Sequence, residues 1–380
     1  MLLGVAAIPF IYYLLVLYSA WRFFLQSRRK VAAEAEFTPP VSILKPVRGL
    51  DPEAYENFAS FCNQDYPEYE VIFCLGSADA PVLPVIQQLQ RDFPRCAIRV
   101  IYRSDRAAVN DKVAKLERLV SEAQYEYIVM NDSGVRAAPD YIRTVIAPLA
   151  RPTVGAVTCF YVSTGEKTFA DGVQTIGMIS DFYAGLLVAR ELDGVKFALG
   201  ETIVTTRARL AEFGGFHALE NRPADDLLVG RLIAEQGYEV ELLPYAVRSV
   251  DDYRSLRELF VKRLRWMVVM RHMRPWGHLG LLLTQGLPWS IVAIAIHPSL
   301  PVALSYLSAY FALRIAITWM IGAWGLKRRV WKHMPLLPLW DGMAFAIWVA
   351  SFLQNSIRWR GDEYRIRDGT LVHASRPTGE

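Results

Sequence analysis

Three regions of the chain are apolar enough for a membrane, and the long region between the first and the second is not. Leu2 to Trp21 runs for twenty residues without a charged side chain, about 30 Å as a helix and so enough to cross a bilayer. From Leu279 to Leu313 no Asp, Glu, Lys or Arg occurs. Pro288, Pro298 and Pro301 punctuate that region, and the pattern predicts two spans, 279–296 and 302–324, joined by a short turn over 297–301. A further stretch, 336–357, is apolar apart from Asp341.

Between 41 and 250 the hydrophobic period changes. Short β-rich runs (VSILKPV, EVIFCLG, AIRVIYR, EYIVMND, VGAVTCFYV) alternate with helical stretches (PEAYENFASFCNQ, PVLPVIQQLQRDF, PDYIRTVIAPLA). Such alternation predicts an α/β domain with a mostly parallel sheet. Sheets of this kind bind ligands beyond the carboxyl ends of their strands, which places Lys45, residues 76–79 and Asp132 on one edge. QTIGMISDFYAGLLV, 174–188, reads equally as the lining of an entrance for a lipid ligand and as an ordinary buried helix. SLRELFVKRLRWMVVMRHM alternates apolar and basic residues at helical spacing and predicts an amphipathic helix at the membrane surface. The resulting division is an anchor over 1–30, an α/β domain over 41–250, an interface helix within 251–278, a membrane region over 279–357 and a basic tail over 358–380.

Composition points to a sizeable domain with several bilayer spans and excludes some partners. The 380 residues are 53% hydrophobic with a mean hydropathy of +0.18, too apolar for a plain soluble domain. Forty-two Lys and Arg against 38 Asp and Glu leave a net charge of +4, too mild and scattered for nucleic acid as a partner. The basic residues gather beside apolar segments instead. Arg22, Arg28, Arg29 and Lys30 follow the first one, where a cleaved signal peptide would carry its charges before it, so a retained anchor is expected. The positive-inside rule then sets the N-terminus outside and the α/β domain in the cytoplasm. A cytoplasmic basic tail requires one later segment to be a hairpin or to lie along the interface. Cys62, Cys74, Cys96 and Cys159 show no C-x-x-C spacing, which argues against both a zinc site and a disulfide framework. Neither a P-loop nor a G-x-G-x-x-G fingerprint occurs.

The candidate chemistry lies in acidic positions and one basic-aromatic motif. Asp132 follows the strand-like YIVM and precedes Ser133-Gly134; a carboxylate there suits Mg²⁺ or Mn²⁺ on a substrate diphosphate, or it caps a turn. Asp79, in LGSADAP, suits a nucleobase or ribose, or solvates its loop. Asp225 and Asp226 open the helical DDLLVGRLIAEQG. One of them can cap that helix, while the adjacent charge raises the pKa of the other toward that of a general base. Asp226 takes the base role and Asp225 the supporting one. In KRLRW, Lys262 begins a motif whose Arg265 and Trp266 offer a fork for a leaving diphosphate and a flat face for a ligand.

Taken together, VSILKPVRGLDP, NQDYPEYEV, VNDKVAKL, MNDSGVRAAPD, ADDLLVGRLI, KRLRW and IRWRGDEYRIRDG resemble the ceramide glucosyltransferases, family 21 of the glycosyltransferases, over nearly the whole chain. The resemblance is greatest to the bacterial hopanoid-biosynthesis branch, which transfers N-acetylglucosamine from UDP-N-acetylglucosamine to bacteriohopanetetrol. It implies a GT-A fold, an inverting single displacement, and a multi-pass enzyme of the cell inner membrane with a cytoplasmic active site. It also implies Asp79 near the uridine, Asp132 on metal and diphosphate, Asp226 as base, and Arg265 with Trp266 as the closing motif. Lys45 and Pro46 fall in its LKP segment and Lys112 in its N-x-K segment, at the nucleotide or diphosphate. Two positions depart from the pattern: Lys262 stands where Gln or Arg is common, and Gly134 occupies the second acidic place of a D-x-D. A ceramide acceptor with UDP-glucose and a processive polysaccharide synthase are the alternative enzymes. A membrane scaffold or transporter whose aspartates only cap helices is the non-enzymatic one.

Overall fold

The computed structural model describes residues 2–30, 36–103, 110–163, 165–250, 253–359, 362–367 and 369–374. They divide into two compact units, an α/β unit of Ser27–Gly165 and Asp193–Asp251, and a helical unit of Met1–Gln26, Glu166–Leu192 and Asp252–Glu380.

In the α/β unit, Val41–Pro46 (β1) is buried along its length and Tyr69–Leu75 (β2) nearly so, as expected of strands covered on both faces. With Ala97–Tyr102 (β3), Tyr127–Met130 (β4), Val135–Arg136 (β5), Val154–Ser163 (β6), Ile203–Thr206 (β7) and Glu239–Ser249 (β8), they form one sheet. Its order is β3-β2-β1-β4-β7-β6-β8-β5. β1 pairs in parallel with β2 and β4, β2 with β3, and β6 with β8. β7 runs antiparallel to both β4 and β6, and β5 antiparallel to β8. The sheet is therefore mostly parallel, as the alternation predicts. Helices Ala54–Cys62, Leu83–Asp92 and Asp111–Glu122 connect the parallel strands. Leu44, Ile72, Val113, Leu116, Ile128, Val229 and Ile233 pack into one core on a face of the sheet.

The segment 166–192, which the sequence places inside a continuous domain, clusters with the helical unit instead. There Ala170, Val173 and Ile176 share a core with Leu259, Leu337, Trp340 and Ala344. Its apolar partners lie far downstream in the chain, so no local pattern marks the detour. Gly177 lets the Trp340 ring pack so closely that a Cβ would sit 2.4 Å from it.

Four described helices are long and apolar enough to cross a membrane: Leu2–Ser27, Phe169–Asp193, Leu300–Gly325 and Trp331–Leu353. Pro275–Thr284 and Gly286–Ile296 form a further pair bent by 57°. The N-terminal helix is tied to later ones: Gly286 donates its N–H to the Tyr13 hydroxyl at 3.0 Å, and Tyr306 donates to the Leu3 carbonyl at 2.6 Å. Leu256–Met273 begins at Ser255, whose hydroxyl caps the Glu258 N–H, and buries Leu259, Arg263, Leu264 and Val268. These four of its eighteen residues form its buried side, while Arg257, Glu258 and Val261 are exposed. Within the expected basic tail, Ser356–Trp359 (β9), Asp362–Arg367 (β10) and Thr370–His373 (β11) pair as an antiparallel sheet. Tyr364 and Ile366 point inward while Arg365 and Arg367 are exposed, a period-two pattern masked in the sequence by its charge.

A buried ion pair also lies in the helical unit. Arg314 and Asp341 are 3% and 6% exposed. The Arg314 Nε donates to Asp341 Oδ2 at 2.9 Å and its Nη2 pairs with Asp341 Oδ1. Tyr310 adds a hydrogen bond to Asp341 Oδ2 at 2.8 Å, and the guanidinium also reaches Ser180.

Candidate active site

The site is built where β4 ends and two helices of the α/β unit begin. Asn110 caps the helix Asp111–Glu122 by accepting from the Lys112 N–H at 3.2 Å. This sets Lys112 in the first turn. Its Nζ lies 2.7 Å from Asp132 Oδ1 and 3.5 Å from Asp225 Oδ2. Asn110 itself donates to Asp225 Oδ1 at 3.4 Å. Asp225 and Asp226 open the helix Asp225–Glu235, behind Ala224 in the left-handed conformation at φ 57°. Neither aspartate occupies the capping position, so the capping alternative does not account for the pair.

Gly200 closes this arrangement. A Cβ there would stand 3.0 Å from Asp226 Oδ2 and 3.4 Å from Lys112 Nζ, so any larger residue would make the carboxylate give by a few tenths of an ångström. Pro46, Lys112, Asn131, Asp132, Gly200 and Asp225 line a small pocket. Asn131 pins the strand end by donating to the Tyr141 hydroxyl at 2.7 Å and the Glu201 carbonyl at 2.7 Å.

The charges tune one another. Burial pushes the Asp226 carboxyl up, and the Asp225 charge pushes it further, against the pull of Lys112; the result is a pKa of about 6. Burial alone would depress the Lys112 ammonium, but Asp132, Asp225 and Asp226 outweigh it and hold that pKa above the usual lysine value. A group of three carboxylates with one permanent cation therefore contains one acid poised near neutrality, the property expected of a general base.

The other expected residues are placed differently. Lys45 is wholly buried; its Nζ lies 3.3 Å from the centre of the Phe61 ring and donates to the Asp132 carbonyl at 3.3 Å. It supports the Asp132 backbone from below. Burial lowers its pKa well below the usual lysine value. Asp79 is exposed in the loop after β2, where hydrogen bonds from Ser77 and from its own N–H hold its carboxyl below the usual value. It takes no part in the contacts that join Lys112, Asp132 and Asp225. Lys262, Arg265 and Trp266 lie on Leu256–Met273 in the helical unit. Lys262 sits 4.6 Å from the Tyr253 ring centre, and Trp266 packs 6.5 Å from Phe182.

Several contributors are absent from the sequence reading. Asn110 carries the ordinary signature of an N-cap before a helical run. Gly200 carries no local signal, because what it touches is 88 and 26 residues away in sequence, at Lys112 and Asp226. Arg263, inside KRLRW, is buried and donates from Nε and Nη2 to Gln174 Oε1 at 2.9 and 2.7 Å.

Among the described residues no group of three or more His, Cys, Asp or Glu is placed to hold a metal ion. Asp132 nevertheless offers a hard oxygen ligand on a side chain that is 45% exposed. Such a position suits Mg²⁺ or Mn²⁺, which take their other ligands from substrate phosphate and water.

A family model described as Glycosyl transferase family 21 matches residues 1–372. Ceramide glucosyltransferase 3 of Caenorhabditis elegans is 22% identical over 237 residues, which are 62% of this chain and 52% of that protein. The ceramide glucosyltransferase of Komagataella phaffii is 29% identical over 182 residues, 46% of this chain and 36% of its own length. The chain spans about half the length, or less, of these curated relatives. Among solved structures, the mannosyltransferase PcManGT from Pyrobaculum calidifontis, in complex with GDP-Man and Mn2+, superposes with a TM-score of 0.58 at 19% identity, covering 92% of this chain and 99% of that one. That likeness is one of fold.

Proposed function

The chain belongs to glycosyl transferase family 21, and from the site described above we propose that it transfers a single sugar from a UDP-sugar to the hydroxyl of a lipid, with inversion. The observation that carries this reading is the meeting of Lys112, Asp132, Asp225 and Asp226 at one sheet edge, with Asp226 poised at about 6. Asp226 takes the proton of the acceptor hydroxyl, and the freed oxygen bonds to the anomeric carbon as the bond from that carbon to the diphosphate oxygen breaks. Lys112 offers its ammonium to the diphosphate that leaves as UDP. A divalent cation held by Asp132 and the diphosphate would supply further charge neutralisation there. Asp225 holds Lys112 in place, and Asp79 is assigned to the uridine. For Lys45, Pro46 and Lys262 a role at the donor rests on their motifs, as does a role for Arg265 and Trp266 in the departure of UDP.

The preferred donor and acceptor are UDP-N-acetylglucosamine and bacteriohopanetetrol, the pair suggested by the sequence motifs. UDP-glucose with ceramide is the second reading, favoured by the names of the curated relatives. Residence in the cell inner membrane with the α/β unit in the cytoplasm belongs to the same proposal, supported by the four long apolar helices and the basic cluster after the first. The full chain, purified in detergent, is incubated with each UDP-sugar against each lipid, and the lipid product is weighed by mass spectrometry. Addition of one N-acetylglucosamine to the hopanoid is expected. Glucosylation of ceramide alone replaces the preferred pair, polymer points to a synthase, and absence of transfer from either UDP-sugar overturns both donor–acceptor pairs.

A further inference from the structure

Lys112 does more at this site than wait for a substrate. Its ammonium already occupies the space between Asp132 and Asp225, at 2.7 and 3.5 Å, where a cation is electrostatically most welcome. The side chain is only 20% exposed, and its backbone is fixed by the Asn110 cap. The neighbouring Lys115 cannot replace it, because that ammonium is committed to the Val47 carbonyl at 2.8 Å and to Asp111 at 2.9 Å. Gly134 withholds a second acidic ligand although a Cβ there would meet nothing closer than the Val250 carbonyl oxygen at 3.7 Å. Room for a Cβ exists and the chain does not use it. Asp132 therefore has a resident positive partner and no acidic helper two residues on.

We propose that Lys112 is a built-in counter-cation that keeps a divalent metal off Asp132 until the diphosphate of the donor draws its ammonium away, so that metal and nucleotide bind in that order of dependence. This rests on the assignment of Asp132 and Lys112 to the donor diphosphate. A dication approaching Asp132 meets like charge within a few ångströms, and a repulsion of that kind costs at least about tenfold in affinity even when well screened. Once two phosphates compete for the ammonium, Lys112 changes from a rival of the metal to its partner on the same anion.

The test is Mn²⁺ binding to the full chain, read by the loss of the free-ion EPR signal, without nucleotide. Wild type and Lys112→Arg should bind weakly, whereas Lys112→Met should bind at least about tenfold more tightly. Lys112→Gln, which keeps a hydrogen-bond donor toward Asp132, is measured beside it so that a folding defect in one neutral variant leaves the other to decide. Cooperative melting identifies the variants that count. Neutral variants that bind Mn²⁺ no more tightly than wild type overturn the proposal. A metal-free titration with UDP separates this from the functional reading. Wild type should bind UDP, and Lys112→Met about tenfold more weakly. Failure of wild type to bind UDP at all would count against the assignment of a UDP-sugar donor, while the Mn²⁺ comparison would still decide the role of Lys112.

Discussion

The base role proposed for Asp226 makes two demands on it: to be ionised when the acceptor arrives, and basic enough to take a proton. A carboxyl at about 6 meets both near neutral pH. Removing the carboxylate with Asp226→Asn should lower transfer by about a hundred- to ten-thousand-fold while leaving UDP affinity nearly unchanged, as measured by product mass and nucleotide titration. The rate under saturating substrates should rise with pH through about 6 and then level, because the base works only when deprotonated; a flat profile from pH 5 to 8 would remove Asp226 from that role. The same pKa has a cost in stability. Folding raises this carboxyl above its ordinary value, so it favours the fold below about 4, and the advantage is lost as pH rises through about 6. Asp226→Asn should therefore melt higher than wild type at pH 7.5, by a margin on the order of 1–2 kcal/mol, and the difference should shrink at pH 4.5.

At the scale of elements, the position of the helix Asp225–Glu235 depends on one missing side chain. A Cβ on Gly230 would lie 2.2 Å from the Phe197 carbonyl carbon and 2.4 Å from the Ala198 nitrogen, both backbone atoms that no rotamer change can move. Gly230→Ala should destabilise the protein by about 1–3 kcal/mol or more and reduce turnover even where the protein stays folded, since it shifts the helix that carries Asp225 and Asp226. Circular dichroism melting and the transfer assay report the two effects separately. Elements of this kind mark how far a sequence can be read. β1, β2, β4 and β6 were legible because their apolar runs are local, and Asp132 and Asp226 stood out as candidates because the one follows and the other opens such a run. β7 and Gly200 were not, since four residues of strand and one glycine acquire meaning only from partners that the chain brings in from elsewhere. Lys112 was legible as a cation by its motif, but its grip on Asp132 was not.

At the scale of the whole molecule, the helical unit carries a charged pair where an apolar core would be simpler. Arg314 and Asp341 satisfy each other, with Tyr310 and Ser180 completing the set. Loss of one partner strands the other, so Asp341→Leu alone should cost about 3–5 kcal/mol, whereas the double change Arg314→Met with Asp341→Leu should recover much of it; thermal melting of the three proteins in detergent measures this. The threading of the chain has a different consequence. It leaves the α/β unit at Gly165 and re-enters at Asp193, and β7, which joins β4 to β6, is made only after that return. During synthesis the ribosome thus delivers β1 to β4 as one piece of sheet, β5 and β6 as strands whose partners β7 and β8 are still to come, and then an apolar helix, before the strand that unites them exists. The protein acquires the edge proposed as catalytic late, and a nascent chain halted before residue 200 holds Asp132 and Lys112 without the strand, glycine neighbour or helix that complete the arrangement.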